Sequence, residues 1–535
     1  MWYVVLPQLI SRLHNPDMRG LFTQLIAKVL AAHPHQAGWQ VMQLRKSKCP
    51  GTANLSTDVI LPVSRKDGNI NRIMVQYSRL FDQLIQLAEF QPRDDRNPNP
   101  QISLDRHGFS KLLGGVLPQR TPTQGGAEAW QVLVPIQSQM AAAIPRAADA
   151  PEAVYSERCD NVVDVIRSKE KPKKLTFFGS DGRSYPFLCK SERKGDLRKD
   201  SRLMEFGLMV NQLLQRNLDA RRRDLGVRTF NVVILREDSG LIEWVSNTRG
   251  IRHIIDDLWK SLKPGMMQSM REIKDMFDTS RNKYETFTKQ VLPRHPPILH
   301  RWFSLNADPS VWLSRRLLFS RTQALWSMLG YIVGLGDRHG ENILVDQETG
   351  RMVHVDFDCL FGKGMHLDCP ETVPFRLTQN CVAAMGVTGV EGAFRSCCEL
   401  VMGVLRDRAN KQTLLSVLHV FIADPLIEWS RRPQAPPRSE DEKQSRVREA
   451  RATIGNVERK LDGMLNVGAV VDLRAAHQGE SVLTPEERGR NSACALLGRD
   501  RGVGLSVAGQ VDELLKAATC KRNLSEMYVG WQPWQ

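Results

Sequence analysis

No stretch of this 535-residue chain stays apolar and uncharged for the ~18–20 residues that a membrane-crossing helix needs. Its opening Trp2-Tyr3-Val4-Val5-Leu6-Pro7 is apolar but has neither a basic lead-in nor a cleavage site. The sequence therefore predicts no secretory or transmembrane signal and no membrane partner. Cysteine lacks a framework too. Ten residues are scattered, and the closest pair, Cys397-Cys398, is adjacent and cannot build a Cys-x-x-Cys zinc knuckle. Reduced thiols, as in cytosol or nucleus, are the plain expectation. No module that reads DNA bases is present either. The surplus of 74 Lys and Arg over 59 Asp and Glu, giving +15 and a pI near 9.4, is spread along the chain, so direct DNA binding is the weaker reading.

A length of 535 residues with 41% hydrophobic content can bury a substantial core in two to four domains. From Leu6 to about Phe90, apolar residues recur at helical spacing (Leu21-Phe22, Leu25-Ile26, Val29-Leu30, then Leu80-Phe81, Leu84-Ile85) and predict paired helices of a solenoid. Such repeats need neighbours at both ends, so a continuation before Met1 is expected. Turn-rich residues 91–101 and a Pro- and Ala-rich linker at 141–151 follow. Val162 to Ser168, Leu175 to Phe178, Tyr185 to Lys190 and Val232 to Leu235 read as strands, and Gly179-Ser180-Asp181-Gly182 as a hairpin turn. Arg431 to Lys443 and Gly479 to Asp500 read as flexible inserts, and Val511 to Ala518 as a last helix.

The chemistry is concentrated in Gly336-Asp337-Arg338-His339-Gly340-Glu341-Asn342, followed by Val355-Asp356-Phe357-Asp358. An Asp to receive a hydroxyl proton, an Asn five residues on and a second Asp before a Phe are the parts phosphoryl transfer needs. Asn342 and Asp356 offer oxygen donors to a hard cation. Ile343 to Val345 and Met352 to Val355 predict two strands around an Asp346 to Gly350 turn. Leu104-Asp105-Arg106-His107-Gly108 repeats four of these letters, but Ser110 replaces the Asn and no Val-Asp-Phe-Asp follows, so it reads as an ordinary loop or helix start.

The order Asp-Arg-His, with Asp-Phe-Asp behind it, inverts the ordinary protein-kinase signature and resembles the phosphatidylinositol-3-kinase-related protein kinases, in particular their checkpoint branch. Agreement extends to Ser168 through Lys174, Phe187-Leu188-Cys189-Lys190, Asp196-Leu197-Arg198-Lys199-Asp200, Ile242-Glu243-Trp244-Val245, Val373-Pro374-Phe375-Arg376-Leu377-Thr378 and Asn523 through Trp534. The resemblance implies an α+β fold. A bilobal PI3/PI4-kinase-like catalytic domain with a small β-rich lobe and a large helical lobe would be preceded by α-solenoid helices and ended by a short helical C-terminal domain. Its implied divisions are 1–150 as the end of a FAT-like helical repeat segment with linker, 151–245 as small lobe and 246–430 as large lobe with catalytic loop and activation segment. Residues 431–502 would be a regulatory insert or linker, and 503–535 a FATC-like domain packed beside the activation segment.

The implied roles follow by position. Asp337 is the catalytic base, and His339 assists at the transferring phosphate. Asn342 and Asp356 are the Mg2+ (or Mn2+) ligands. Lys190 contacts the ATP phosphates under a covering loop with Ser168 and Lys169, and Glu243-Trp244-Val245 is the adenine hinge, with backbone groups at the flanking residues and the indole over the base face. Asp200 is the candidate to hold Lys190, with Asp196 behind it. The spacer Ser191-Glu192-Arg193-Lys194-Gly195 is longer than the usual one and leaves Glu192 open as well. Phe230 stands where relatives commonly carry Tyr, and Pro374 to Thr378 is expected to shape the peptide site.

Implied too are Ser/Thr protein substrates with Gln following, DNA-damage and replication checkpoint signalling in the nucleus, an adaptor-type regulatory subunit bound through a missing N-terminal region, and indirect association with DNA. The rival readings are a lipid or nutrient-sensing kinase of the same superfamily, or an inactive scaffold or fragment. Cys359 to Glu371 holds Lys363 as its one Lys or Arg, which argues against an inositol-phosphate site.

Overall fold

The computed structural model describes residues 2–13, 15–48, 50–92, 100–109, 112, 132–140, 153–168, 170–192, 196–262, 268–305, 308–422, 440–465 and 504–535. The chain divides into two compact units, one built mainly from Met1–Glu205 and Thr229–Ser246, the other from Phe206–Arg228 and most of the chain after Ser246. Among the described residues, no helix is long and apolar enough to cross a membrane.

In the first unit, helices α1 (Arg19–Ala32), α2 (Pro34–Arg45), α3 (Pro50–Lys66) and α4 (Gly68–Glu89) meet the predicted helical periodicity. Asp67 starts α4 as its N-cap, accepting from Asn69 N–H at 2.8 Å and Ile70 N–H at 3.3 Å. The face repeating Ile70, Ile73, Met74, Tyr77, Leu80, Phe81 and Leu84 is buried, with Trp39 edge-on to Tyr77 at 5.2 Å. Gly38 lets α2 approach so closely that a Cβ there would lie 2.8 Å from the Tyr77 ring. These helices share one core with an antiparallel sheet of β1 (Gln101–Ser103), β2 (Ser156–Cys159), β3 (Val162–Val165), β4 (Lys173–Gly179), β5 (Ser184–Ser191), β6 (Val232–Arg236) and β7 (Ser239–Glu243). The order is β1-β3-β4-β5-β7-β6, with β2 also pairing β4. Gly179 to Gly182 makes the β4–β5 hairpin turn as expected, with Tyr185 donating its hydroxyl to Asp181 at 2.6 Å. The Asp105 to Gly108 repeat is an exposed turn.

In the second unit, β8 (Thr248–Gly250), β9 (Ile343–Asp346) and β10 (Met352–His354) form a small antiparallel sheet. The β9–β10 turn has the expected chemistry: Asp346 accepts from Glu348 N–H at 3.0 Å and Thr349 N–H at 2.9 Å, and Gly350 takes φ of 76°. Asp308 and Pro309 start the long helix α5 (Pro309–Val333), whose Phe319 to Val333 half is buried except at Arg321. Gly334, left-handed at φ 60°, ends it two residues before Gly336. Helix α6 (Glu440–Leu461) departs from the sequence reading of Arg431 to Lys443 as a flexible insert, because the helix already runs from Glu440. Residues 431–439 and 479–500 of the expected inserts lie outside the described residues. The predicted last helix is α7 (Val507–Thr519).

Candidate functional site

Lys190 lies on β5 opposite Gly240, where a Cβ would come within 2.6 Å of Leu197, so glycine keeps this strand pair close to the following loop. The Lys190 ammonium pairs with Glu192, and both are largely buried. The long spacer thus delivers its own carboxylate. Asp196 is engaged by the Arg198 guanidinium through both oxygens, at 2.8 Å each. Asp200 is buried in the first turn of the helix Arg198–Arg216. Ser168 sits at the bend between β3 and β4, in a loop closed at its neck by Ile166 N–H donating to Pro172 O at 2.8 Å. Lys169 lies outside the described residues. Lys171 in the same loop takes φ of 46°.

At the end of β7, the Glu243 carboxylate accepts from Gln137 N–H at 2.7 Å and Asn231 N–H at 2.9 Å. Its side chain is thereby committed to structure. Trp244 donates its N–H to Pro186 O at 3.1 Å, and the half-buried indole lies 4.7 Å from the Lys174 ammonium. Val245 is buried beside it, and Phe230 is buried as an all-apolar side chain.

The second unit gathers Asp337, His339, Asn342 and Asp356. Asp337 and Asp356 both adopt left-handed backbone, at φ 57° and 62°. For non-glycine residues this costs roughly 1–2 kcal/mol each and persists only where surroundings impose it. The buried Arg338 imposes it, donating to Gly336 O at 2.9 Å, Val355 O at 2.9 Å and Asp356 O. Asn342 anchors the loop by donating its amide nitrogen to Asp337 O at 3.0 Å, while its backbone carbonyl accepts from Val355 N–H at 3.1 Å. With the nitrogen so used, the Asn342 side-chain oxygen is the atom left for a cation. Together with the exposed Asp356 carboxylate it makes an all-oxygen donor pair that suits a hard divalent ion. His339 receives the Glu341 N–H on Nδ1 at 3.3 Å, and burial holds its pKa below the ordinary value against the pull of Asp337 and Glu341.

Two contacts escaped the sequence reading. Glu371 accepts the Asp337 N–H at 2.8 Å from the activation segment. The other is made by Arg376. Its buried guanidinium donates to Trp531 O at 2.6 Å, Gln532 O at 3.0 Å and Gln535 O at 3.2 Å and lies over the Trp531 ring. Phe375, Leu377 and Thr378 are buried with it. Trp531 and Trp534 join Ile273, Phe277, Phe287, Val291, Leu524 and Met527 in one cluster, and Thr372 donates its hydroxyl to Asn523 O at 2.7 Å. The C-terminal segment thus packs against the activation segment, as expected. Pairings that join residues 34 or 155 positions apart leave no periodic trace in the sequence.

Residues 184–431 match the family model of phosphatidylinositol 3- and 4-kinases, residues 504–535 match the FATC domain, and residues 1–81 match the HEAT repeats of serine/threonine-protein kinase ATR-like proteins. The whole chain is 36% identical to the serine/threonine-protein kinase ATR of Oryza sativa subsp. indica and 34% identical to that of Arabidopsis thaliana, spanning 18% of each relative. It is 34% identical to protein kinase rad3 of Schizosaccharomyces pombe, with 99% of this chain and 20% of that protein aligned. The chain thus spans about a fifth of the length of these curated relatives. A solved FAT and kinase domain of CtTel1 superposes with a TM-score of 0.77 at 26% identity, covering all of this chain and 34% of that one.

Proposed function

Because the chain belongs to the phosphatidylinositol-3-kinase-related protein kinases, we propose that it is an ATR-like serine/threonine kinase that transfers the γ-phosphoryl group of ATP to protein hydroxyls, preferring Ser or Thr before Gln, in nuclear DNA-damage and replication checkpoint signalling. The observation that carries the reading is the pair of left-handed aspartates, Asp337 and Asp356, whose carbonyls are tied down by Asn342 and Arg338.

Asp337 accepts the proton of the substrate hydroxyl, and His339 sits on the same loop to assist at the transferring phosphate. Asn342 and Asp356 hold a divalent cation, Mg2+ or Mn2+, which when bound neutralises charge on the phosphates. Lys190, oriented by Glu192, supplies a point charge to the phosphates, and Ser168 and Lys169 belong to the covering loop. Backbone groups of Glu243 and Val245 pair with the adenine edge while Trp244 covers its face. Because the Glu243 carboxylate is bound to Gln137 and Asn231, its backbone is presented rigidly. Asp200, buried at the start of its helix, is a further candidate to hold Lys190. A regulatory adaptor and an indirect association with DNA belong to the same reading.

The test is radiolabelled phosphate transfer from ATP, with Mg2+ or Mn2+, to a Ser-Gln peptide, its Ser-Ala variant and phosphoinositide. Selective Ser-Gln labelling that falls at least ~100-fold in Asp337→Ala is expected. Labelling of lipid alone would overturn the protein-kinase assignment, and well-folded protein that binds ATP without turnover would point to a scaffold.

A further inference from the structure

We propose that Glu371 is the positioning residue of the phosphotransfer loop: from the activation segment it accepts the Asp337 N–H and so fixes the backbone from which the base is aimed. The inference rests on the proposed role of Asp337 as base.

Asp337 holds a left-handed backbone that an Asp leaves readily unless its peptide groups are pinned. Its carbonyl is pinned by Asn342, on the same loop, and its N–H by Glu371, from another segment, at 2.8 Å. The fit around that carboxylate is specific. A Cβ on Gly364 would lie 2.0 Å from Glu371 Oε2, and one on Gly336 would lie 2.5 Å from the same atom. Two glycines, one before the base and one in the activation segment, therefore open the slot the carboxylate fills. Glu371 N–H donates to Gly364 O at 3.0 Å, closing the segment upon itself around the slot.

Burying a carboxyl this far is costly unless a hydrogen bond compensates. Burial pushes Glu371 up to about 7, with the Asp337 N–H opposing and the Asp337 charge adding. The Arg338 charge also lowers the Glu371 pKa, but its guanidinium donates to the carbonyls of Gly336, Val355 and Asp356. What Glu371 offers is thus an acceptor oxygen at one place, more than a negative charge. A glutamine of the same shape keeps that oxygen, and an alanine does not.

The experiment compares the full chain with Glu371→Gln, Glu371→Ala and Asp337→Ala by steady-state transfer to a Ser-Gln peptide and by hydrogen–deuterium exchange of the peptide covering residues 336–342. Glu371→Ala is expected to lower kcat about 10–100-fold with KM for ATP within about twofold, and to speed exchange at that peptide, because a displaced reacting group costs rate more than binding. Glu371→Gln is expected to keep kcat within about threefold of the parent chain and to restore protection. Unchanged exchange in Glu371→Ala, or a Gln variant as impaired as the Ala one, overturns the proposal. If the parent chain shows no transfer, the assignment of Asp337 as base fails, while the exchange data still decide whether Glu371 holds the loop.

Discussion

Removing the Arg376 guanidinium should release the C-terminal segment from the activation segment, and the size of the effect can be worked from its contacts. Arg376 is buried and its partners are backbone oxygens: Trp531 at 2.6 Å, Gln532 at 3.0 Å and Gln535 at 3.2 Å, with a longer contact of 3.5 Å to Arg338 O. Hydrogen bonds from a charged donor contribute roughly 1.5–3 kcal/mol each, so the three close ones total about 5–9 kcal/mol. Against this stands the cost of burying a cation, several kcal/mol on the scale of buried ions. That cost is visible in its pKa, which burial lowers to about 10. Arg376→Met recovers the desolvation and strands three backbone oxygens, for a net loss of about 2–4 kcal/mol. For a unit of this size the melting temperature should fall by roughly 4–10 °C. Arg376→Lys keeps the charge but loses the fork, and should fall between. Calorimetry, with hydrogen exchange over residues 521–535, reads both effects. A Met variant that melts within about a degree of the parent chain with unchanged exchange there would refute the account.

Gly334→Ala should cost at least about 2–3 kcal/mol, since the residue is left-handed and the new Cβ would lie 2.5 Å from the Gly362 backbone nitrogen, which cannot step aside. Thermal melting checks it against Gly403→Ala, where nothing lies within 4 Å and no loss is expected. His295 is buried with Nδ1 against Val291 O at 2.8 Å and its ring beside Trp259 and Trp534, and burial lowers its pKa. The unfolded chain therefore binds a proton that the folded one resists, and stability falls as pH drops below the ordinary value of 6.5. His295→Leu should flatten urea-derived stability between about pH 7 and 5, and an unchanged slope would refute it. Lys173 is wholly buried with its ammonium on Ala88 O at 2.7 Å, and burial lowers it from 10.5 to about 8. Here the folded state releases its proton first, so the first unit should gain stability as pH rises from about 8 to 10.5, a rise that Lys173→Met should remove in urea unfolding.

What the sequence made legible is what is local. The β9–β10 hairpin could be read because Asp346 and Gly350 carry turn chemistry between two apolar runs, and the first helices because their buried residues repeat at helical period. Lys190 was placed on the right strand, but its partner was open among three acids, because a spacer of unusual length has no fixed path. The structure pairs Glu192 with Lys190 and Asp196 with Arg198. Helix α6 was missed because Arg, Pro and Ser before Glu440 set the tone of the segment. Its buried Ile454, Val457 and Leu461 make a stripe too narrow to mark the boundary. Glu371 and Arg376 were illegible as partners of the loop and the tail. Each acts on backbone groups, and a backbone group gives no letter to read.

That observation also accounts for the inverted motif. An Asp-Arg-His order puts the arginine directly after Asp337, inside the loop, where its side chain can turn back to the carbonyl of Gly336 and across to those of Val355 and Asp356. Two strained residues at roughly 1–2 kcal/mol each are then held by bonds from one cation worth about 1.5–3 kcal/mol apiece. Burial disfavours the Arg338 charge, while the nearby Asp356 and Asp337 favour it, so the cation that pins the backbone is itself sustained by the two carboxylates it helps to place. Because Arg338 donates to carbonyls and not to those carboxylates, it leaves both aspartate side chains available for the roles proposed for them. A lysine at position 338 could keep the charge but not reach three carbonyls at once, so the two aspartates would lose their common support even with every catalytic letter intact.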